Sequence, residues 1–235
     1  MGADFNICDL VAAELATSVD ADKEKLVWSD EFNGGALDTS IWTQSSTSMS
    51  TRKTLEYANT ATFDGDSMSL NCYDTGRTTE LGTPIYQINY GLNTFNSMSY
   101  KYGRLEMHAK IPVGAGAFPA LWLSSRGAMG YDKYSEYSTE IDVFEVFGET
   151  KHANLAETCI HKWYNDENGN TIKDSEGNVI DCSCGTSAAN GNNYFVAESD
   201  RSTNVTDASK WYIIEFEWTE DQMTCSVTPE GGATK

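Results

Sequence analysis

The most regular pattern in this 235-residue chain is an alternation of apolar and polar residues. In residues 104–111 the odd positions are apolar and the even positions are charged or titratable. Residues 213–218 carry apolar side chains at every even position, and residues 118–123 place Phe118 and Trp122 on one face with Leu121 on the other. Because successive side chains of a strand point to opposite faces, these segments are predicted to be β-strands.

Short turn motifs separate the predicted strands. They occur at residues 64–66, 114–116, 168–170 and 176–178, each with at least one glycine. The last two predict a pair of hairpins between residues 163 and 182. No long helical pattern interrupts this region, so the predicted fold class is all-β, a sandwich of antiparallel sheets.

The first 25 residues have a different character. Apolar residues at positions 7, 10, 11, 13 and 15 indicate a short helix, and a charged stretch follows at residues 20–25. We interpret residues 1–25 as a leader or linker and residues 26–235 as the folded domain. No positively charged segment followed by an apolar run is visible here, so no signal peptide is predicted.

Composition narrows the possible partners. The chain has 35 acidic and 16 basic residues, a formal net charge of −19. Such a surface repels nucleic acid and anionic membranes and, outside any local basic groove, disfavours sulfated or uronic polymers, so a neutral substrate or a salty environment fits it better. No apolar stretch is long enough to span a membrane. The six cysteines can pair in 15 ways, and a mixture of thiols with one or two disulfides is expected.

Three carboxylates fall within the six residues Glu140-Ile-Asp142-Val-Phe-Glu145. On a strand Glu140 and Asp142 share a face, whereas strict alternation would bury Glu145. A β-bulge, one extra residue at positions 143–144, would return Glu145 to the carboxylate face and Val146 to the core. This arrangement is predicted because burying an unpaired carboxylate is costly.

Carboxylates grouped in this way predict glycosidic bond cleavage. Two glutamates whose carboxyl groups lie about 5–5.5 Å apart are typical of a retaining glycosidase. An aspartate between them raises the pKa of a neighbour and can hold the nucleophile in place. The alternative is a solvated acidic edge strand without chemistry, although like charges crowded on one strand destabilise it.

The chain resembles glycoside hydrolase family 16, which includes laminarinases, lichenases, agarases and κ-carrageenases. The matching segments are LVWSDEFNG (26–34), LD (37–38), Trp42, YGRLE (102–106), KIP (110–112), GAFPALWL (116–123), EIDVFE (140–145) and WY…EWT (211–219). The resemblance covers about residues 26–228. It implies a concanavalin-like jelly roll of two antiparallel sheets with a concave substrate cleft.

The resemblance also implies roles for single residues. Glu140 would be the nucleophile, Asp142 the assisting acid and Glu145 the general acid/base. Trp122 and Phe118 would form aromatic platforms for sugar rings. Position 118 is usually tryptophan in the family, and phenylalanine still stacks on a sugar but lacks the indole N–H donor.

Further site residues follow from the same resemblance. His161 resembles a histidine of the family's cleft, and Trp163 would either stack on sugar or cap a hairpin. The family often carries a structural calcium ion, for which Glu31 and the backbone of Gly65 are candidate ligands. No cofactor is expected to be required for catalysis. The family's domain continues through further strands after the matched region, so this chain is expected to lack the last of them.

The expected function is retaining endo-hydrolysis of a polysaccharide, with β-1,3-glucan or mixed-linkage β-1,3/1,4-glucan as the first expectation. Two alternatives stay open: an agar- or porphyran-type galactanase, and a non-catalytic sandwich that binds glycans. The protein is expected to be secreted or at the cell surface. It is expected to be a monomer unless exposed sheet edges associate.

Overall fold

The computed structural model describes residues 25–44, 48–49, 54–89, 91–114, 116–125, 137–148, 156–164, 166, 168, 170, 172–177, 184–185 and 207–232. Every regular element in this part of the chain is a β-strand, as predicted. It contains no helix long and apolar enough to cross a membrane. The helix and leader predicted for residues 1–25 lie almost wholly outside the described residues and stay predictions.

The chain divides into two compact units, and the first comprises residues 1–102. Its strands are short, and they are β1 (Thr43–Gln44), β2 (Ser48–Met49), β3 (Leu55–Tyr57), β4 (Ala61–Phe63), β5 (Met68–Leu70), β6 (Cys72–Thr78), β7 (Pro84–Ile88) and β8 (Leu92–Asn93). They form a four-stranded sheet in the order β2-β3-β7-β6 and two two-stranded ladders, β1-β8 and β4-β5. The β3–β7 pair is parallel, and the other pairs described here are antiparallel.

An aromatic cluster anchors the segment that precedes β1. The indole N–H of Trp42 donates to the Asp30 carboxylate at 2.8 Å. The Trp42 ring packs edge-on against Trp28, with 5.6 Å between centroids, and lies tilted against Phe32 with 5.9 Å between centroids. Asp30 also accepts a hydrogen bond from the backbone N–H of Phe32. The Asp30 carboxylate therefore links Trp42 to the turn that follows Asp30.

The second unit comprises residues 103–235. Its strands are β9 (Gly103–Ala109), β10 (Ala120–Ser124), β11 (Tyr137–Val146), β12 (Ala156–Tyr164), β13 (Cys184–Gly185), β14 (Tyr212–Trp218) and β15 (Met223–Pro229). They form two antiparallel sheets with the orders β10-β11-β12-β13 and β15-β14-β9. Strand β14 pairs without interruption with β9 on one side and β15 on the other.

The predicted alternation is confirmed in β9 and β14. Ile214 and Phe216 are fully buried, while the neighbouring Glu215 is half-buried. Glu106 lies directly opposite Glu215 across the sheet, and Arg104 forms ion pairs with both carboxylates, which offsets the repulsion between like charges. Arg104, Glu106 and Glu215 therefore form an ion-paired face.

The two sheets of this unit contact one another between β11 and β15. Thr158 of β12 makes a hydrogen-bonding contact with the Cys225 thiol of β15, and burial raises the pKa of Cys225 to about 11. Val143 and Val146 are fully buried, as are residues of β14. Each such side chain contributes about 1.5–3 kcal/mol relative to an exposed position.

A turn forms at the first of the two predicted hairpin positions. The backbone N–H of Asp166 donates to the Asn170 carbonyl at 2.8 Å. The Asp166 carboxylate accepts the backbone N–H groups of Asn168 at 2.8 Å and Asn170 at 2.9 Å. At the second turn the Gly177 N–H donates to the Asp174 carbonyl at 3.0 Å. The strand predicted to follow it lies largely outside the described residues.

Candidate active site

Strand β11 carries the predicted bulge. Relative to β12, Asp142 lies opposite Cys159 and Glu145 opposite Glu157, so three steps along β11 correspond to two steps along β12. The pairing with β10 shifts at the same place, since Trp122 lies opposite Asp142 but Leu121 opposite Phe144. Both ladders therefore place one extra residue at positions 143–144, and the prediction is confirmed.

Local contacts explain why the chain accepts this bulge. Val143, Phe144 and Val146 are all buried, so the irregularity keeps the apolar residues in the core. The Thr158 hydroxyl donates to the Val143 carbonyl at 3.1 Å. This bond supplies a partner at the point where the regular ladder is interrupted.

The bulge brings the three acids into one patch of the sheet. Residues directly opposite each other on neighbouring strands share a face, and three such rows cross β10, β11 and β12. The rows are Ser124-Glu140-His161, Trp122-Asp142-Cys159 and Ala120-Glu145, the last continuing to the backbone of Glu157 on β12. The acids are in the middle of each row. Glu140 and Glu145 are half-buried and Asp142 is 2% exposed.

The central acid has a positively charged neighbour. Nε2 of His161 lies 3.2 Å from Oδ2 of Asp142, and the two side chains are 24% and 3% exposed. The adjacent Asp142 carboxylate, followed by a contact with the Cys159 sulfur, raises the pKa of His161 to about 11. His161 is therefore an imidazolium at neutral pH, and it balances the buried charge of Asp142.

Three effects shift the pKa of Glu140. Burial raises the pKa of Glu140 above that of an ordinary glutamate, and the Asp142 charge raises this pKa further, while the His161 charge lowers it. From the sequence we expected the aspartate to raise the pKa of a glutamate and so help the acid stay protonated. In the structure Asp142 raises the pKa of Glu140, which is the expected nucleophile. The ionised form of Glu140 is consequently reached at higher pH than usual.

Cys159 is a site residue that the sequence reasoning missed. It lies opposite Asp142, and its sulfur contacts His161. Cys72, Cys159 and Cys225 carry free thiols. A signal was present, because Cys159 stands two residues before His161 and so shares its face of the strand.

The two predicted aromatic platforms have different surroundings. Trp122 lies opposite Asp142 and is 41% exposed. Phe118 is 57% exposed and stacks on Phe147, with ring centroids 4.7 Å apart and an interplanar angle of 25°. One face of Phe118 is therefore engaged by Phe147, which holds the ring beside the end of β11.

A glycine fixes the segment that carries Phe118. The Gly148 N–H donates to the Ala117 carbonyl at 3.0 Å, and the Val146 N–H donates to the Pro119 carbonyl at 3.1 Å. A Cβ atom on Gly148 would lie 1.8 Å from the Gly114 carbonyl oxygen. Only glycine permits this close approach of two backbone segments.

Trp163, Glu31 and Gly65 are the remaining residues for which a role was predicted. The backbone of Trp163 lies opposite Ser138, but its side chain is outside the described part of the structure, so both readings of it stay open. Glu31 and Gly65 belong to the first unit, where Glu31 is exposed and Gly65 has a φ of 99° in a turn.

Glu31 and the backbone of Gly65 would supply only part of the ligands of the predicted calcium ion. A calcium ion takes about six to eight oxygen ligands. Within the described residues, one group of three or more His, Cys, Asp or Glu side chains has converging ligand atoms, and it comprises Asp142, Cys159 and His161. Calcium therefore stays a prediction, and no step of a reaction is assigned to it.

Comparison with known proteins points to one family. The model of the family described as glycosyl hydrolases family 16 matches residues 30–230. The glucan endo-1,3-beta-glucosidase A1 of Niallia circulans is 31% identical over 147 residues, which are 52% of this chain and 20% of that protein. The keratan-sulfate endo-1,4-beta-galactosidase of Sphingobacterium multivorum is 28% identical over 158 residues, 64% of this chain and 34% of that protein. This chain thus spans about a third or less of each relative.

Solved structures agree on the fold. The laminarinase catalytic domain of Thermotoga maritima superposes with a TM-score of 0.54 at 21% identity, covering 90% of this chain and 75% of that one. The endo-1,3-beta-glucanase catalytic domain of Thermotoga petrophila gives a TM-score of 0.52 at 22% identity, with the same coverage. The predicted all-β, jelly-roll sandwich class is confirmed.

Proposed function

Since this chain belongs to glycosyl hydrolases family 16, we propose that it hydrolyses internal β-glycosidic bonds of a polysaccharide with retention of configuration. The observation that carries the proposal is the bulge of β11, because it gathers Glu140, Asp142 and Glu145 in one patch of a sheet. Crowded carboxylates destabilise a strand, so their grouping calls for a chemical role.

In the proposed reaction Glu140 attacks the anomeric carbon and Glu145 protonates the leaving oxygen. Glu145 then removes a proton from the water that releases the glycosyl-enzyme intermediate. The nucleophile must be ionised, and burial works against this. The positive charge of His161 lowers the pKa of Glu140 and so favours its ionised form. The ion pair with Asp142 holds His161 close to the nucleophile.

A neutral β-1,3-glucan or mixed-linkage β-1,3/1,4-glucan is the proposed substrate. The net charge of −19 disfavours a sulfated polymer, and the exposed ring of Trp122 offers an apolar face to a sugar ring directly across from Asp142. The Niallia circulans relative is named as a glucan endo-1,3-beta-glucosidase, which agrees with this choice.

A galactan is the second candidate. The relative from Sphingobacterium multivorum is named as a keratan-sulfate endo-1,4-beta-galactosidase and aligns with a larger share of this chain. Charge distinguishes the candidates, since an acidic protein binds a sulfated polymer only through a local basic surface.

We also propose that the protein acts outside the cell or at its surface, because a polymeric substrate cannot cross a membrane. The partner is then the polysaccharide itself, and nucleic acid is disfavoured by the charge.

A substrate panel tests the proposal. The protein is incubated with laminarin, barley mixed-linkage glucan, agarose and keratan sulfate, and new reducing ends are measured against Glu140→Gln. Cleavage of laminarin or barley glucan by the wild type alone is expected. Cleavage restricted to agarose or keratan sulfate would favour the galactan candidate. Binding without cleavage, equal in both proteins, would establish a non-catalytic glycan-binding domain instead.

A further inference from the structure

Three potential metal ligands converge across two neighbouring rows, that of the proposed nucleophile Glu140 and that of Asp142. One oxygen of Asp142, the sulfur of Cys159 and one ring nitrogen of His161 all lie within 4.8 Å of one another. They come from two adjacent antiparallel strands, with Asp142 directly opposite Cys159 and His161 two residues further along β12. Strands hold ligands more rigidly than loops do, so this set is preorganised.

The orientation of the buried Asp142 carboxylate is the second observation. Oδ2 of Asp142 is buried and, within the described residues, accepts no well-aligned hydrogen bond. Its close neighbour is Nε2 of His161 at 3.2 Å, so the atom is aimed at the other two ligands. In the metal-free protein the His161 imidazolium partners this oxygen, and a bound cation would take the place of that proton and of the Cys159 thiol proton.

We propose that Asp142, Cys159 and His161 form a binding site for a thiophilic divalent cation of the Zn²⁺ class, whose occupancy blocks hydrolysis. The donor set decides the class of ion, because thiolate and imidazole ligands select zinc over calcium and magnesium. Three protein ligands leave a fourth position for water, as in zinc sites with an open coordination position.

The dimensions agree with tetrahedral zinc. Ligand bonds of about 2.0–2.3 Å place neighbouring ligand atoms about 3.3–3.7 Å apart. The Asp142–His161 separation of 3.2 Å is already about this short, and the limit of 4.8 Å for the whole set leaves the sulfur at most about 1.1–1.5 Å to close. Rotation about the Cα–Cβ bond of Cys159 covers such a distance.

Occupancy would interfere with the proposed reaction. The cation would bind the Asp142 oxygen and the His161 nitrogen that together act on Glu140. Binding would displace the protons of the Cys159 thiol and the His161 imidazolium, so the net charge of the patch stays the same, and inhibition follows because the metal holds the Asp142 and His161 atoms. This inhibition rests on the proposed function, whereas the binding of the metal does not.

Metal binding is measured first, by calorimetric titration of the full-length protein with Zn²⁺. Binding of one equivalent is expected, and Cys159→Ser should weaken it about 100-fold or more, since loss of outer-shell partners alone costs about 10–100-fold. Titration with Co²⁺ adds a spectroscopic readout, because a thiolate ligand gives a sulfur-to-cobalt charge-transfer band that Cys159→Ser should abolish.

Matched variants separate this site from other cysteines. Cys72→Ser changes an exposed free thiol in the other unit, and Cys182→Ser/Cys184→Ser removes the remaining closely spaced pair. Both should keep the zinc affinity and the cobalt band. Loss of zinc binding in the double variant, its retention in Cys159→Ser, or the absence of stoichiometric binding in the wild type would overturn the site.

Inhibition is then tested with laminarin. Zn²⁺ should inhibit the wild type reversibly, with recovery on adding EDTA, whereas Mg²⁺ and Ca²⁺ should have no such effect. Cys159→Ser, compared with its own metal-free rate, should resist zinc. A wild type that binds zinc through Cys159 but hydrolyses no glycan would uphold the metal site and overturn the proposed function. Inhibition of equal strength in Cys159→Ser would overturn the inhibitory role.

Discussion

The ion pair between Asp142 and His161 gives the sharpest prediction about stability. His161→Gln removes the imidazolium 3.2 Å from a carboxylate that is 3% exposed. Glutamine keeps a hydrogen-bond donor of similar reach but carries no charge. The buried Asp142 charge then lacks its cationic partner, and the folded state should lose stability at neutral pH.

The magnitude follows from the pKa. Raising the pKa of His161 from 6.5 to about 11 corresponds to about 6 kcal/mol of preference for the protonated form. Asp142 supplies this together with Cys159, and about a quarter of the His161 side chain is exposed to water, which screens the interaction. Breaking one buried pair typically costs about 3–5 kcal/mol, so we expect a loss of about 3 kcal/mol.

The pH dependence has a definite sign. A folded-state pKa above the unfolded value of 6.5 stabilises the protein fully below pH 6.5, and this stabilisation is lost as the pH rises toward 11. The difference in free energy of unfolding between the wild type and His161→Gln should therefore be largest at pH 5–6.5. It should be clearly smaller at pH 9–10.

Urea denaturation of both proteins at pH 6, 8 and 10 measures this difference. His108→Gln is a matched control, because Nε2 of His108 lies 3.1 Å from Glu106 but the two side chains are 52% and 44% exposed. A surface pair of this kind contributes about 0.2–1 kcal/mol. Equal losses in the two variants, or a His161→Gln deficit that grows from pH 6 to pH 10, would refute the reasoning.

Three further predictions concern residues of β10, β11 and β12. Thr158→Val should lower the free energy of unfolding by about 1–3 kcal/mol and reduce kcat, because the Val143 carbonyl at the bulge loses its donor. Thr158→Ser keeps the hydroxyl, and an equally large loss in it would contradict this explanation. Trp122→Ala should raise KM for laminarin about 2- to 12-fold through loss of about 0.5–1.5 kcal/mol of stacking, with folding unchanged by circular dichroism; an unchanged KM would remove Trp122 from the binding surface. Asp142→Asn should shift the acid limb of kcat/KM to lower pH, since the Asp142 charge raises the pKa of Glu140 while His161 stays protonated there; a shift to higher pH would be inconsistent with this electrostatic account.

Some features could be predicted because they depend on local pattern. The bulge at residues 143–144 follows from three acids and three apolar residues that one regular strand cannot sort onto two faces. Strand β14 follows from its period of two, which survives because one face packs against the core. In both cases a few neighbouring residues decide which side chains are buried, because burying a charge or exposing apolar surface is costly.

Other features depend on which strands pair and in what register. The contact of Cys159 with His161 and the position of Asp142 across from Cys159 require the β11–β12 ladder. The stacking of Phe118 on Phe147 joins segments almost thirty residues apart. The short strands of the first unit, several of two or three residues, are too brief to produce a recognisable period.

The most direct test of the central claim is proton NMR of laminarin during digestion by the wild type and by Glu140→Gln. Hydrolysis by Glu140 and Glu145 with retention predicts that new reducing ends appear first as the β-anomer and convert slowly to the equilibrium mixture. The Glu140→Gln variant should produce almost none. Initial formation of the α-anomer would contradict the retaining mechanism, and undiminished cleavage by Glu140→Gln would contradict the assignment of the nucleophile.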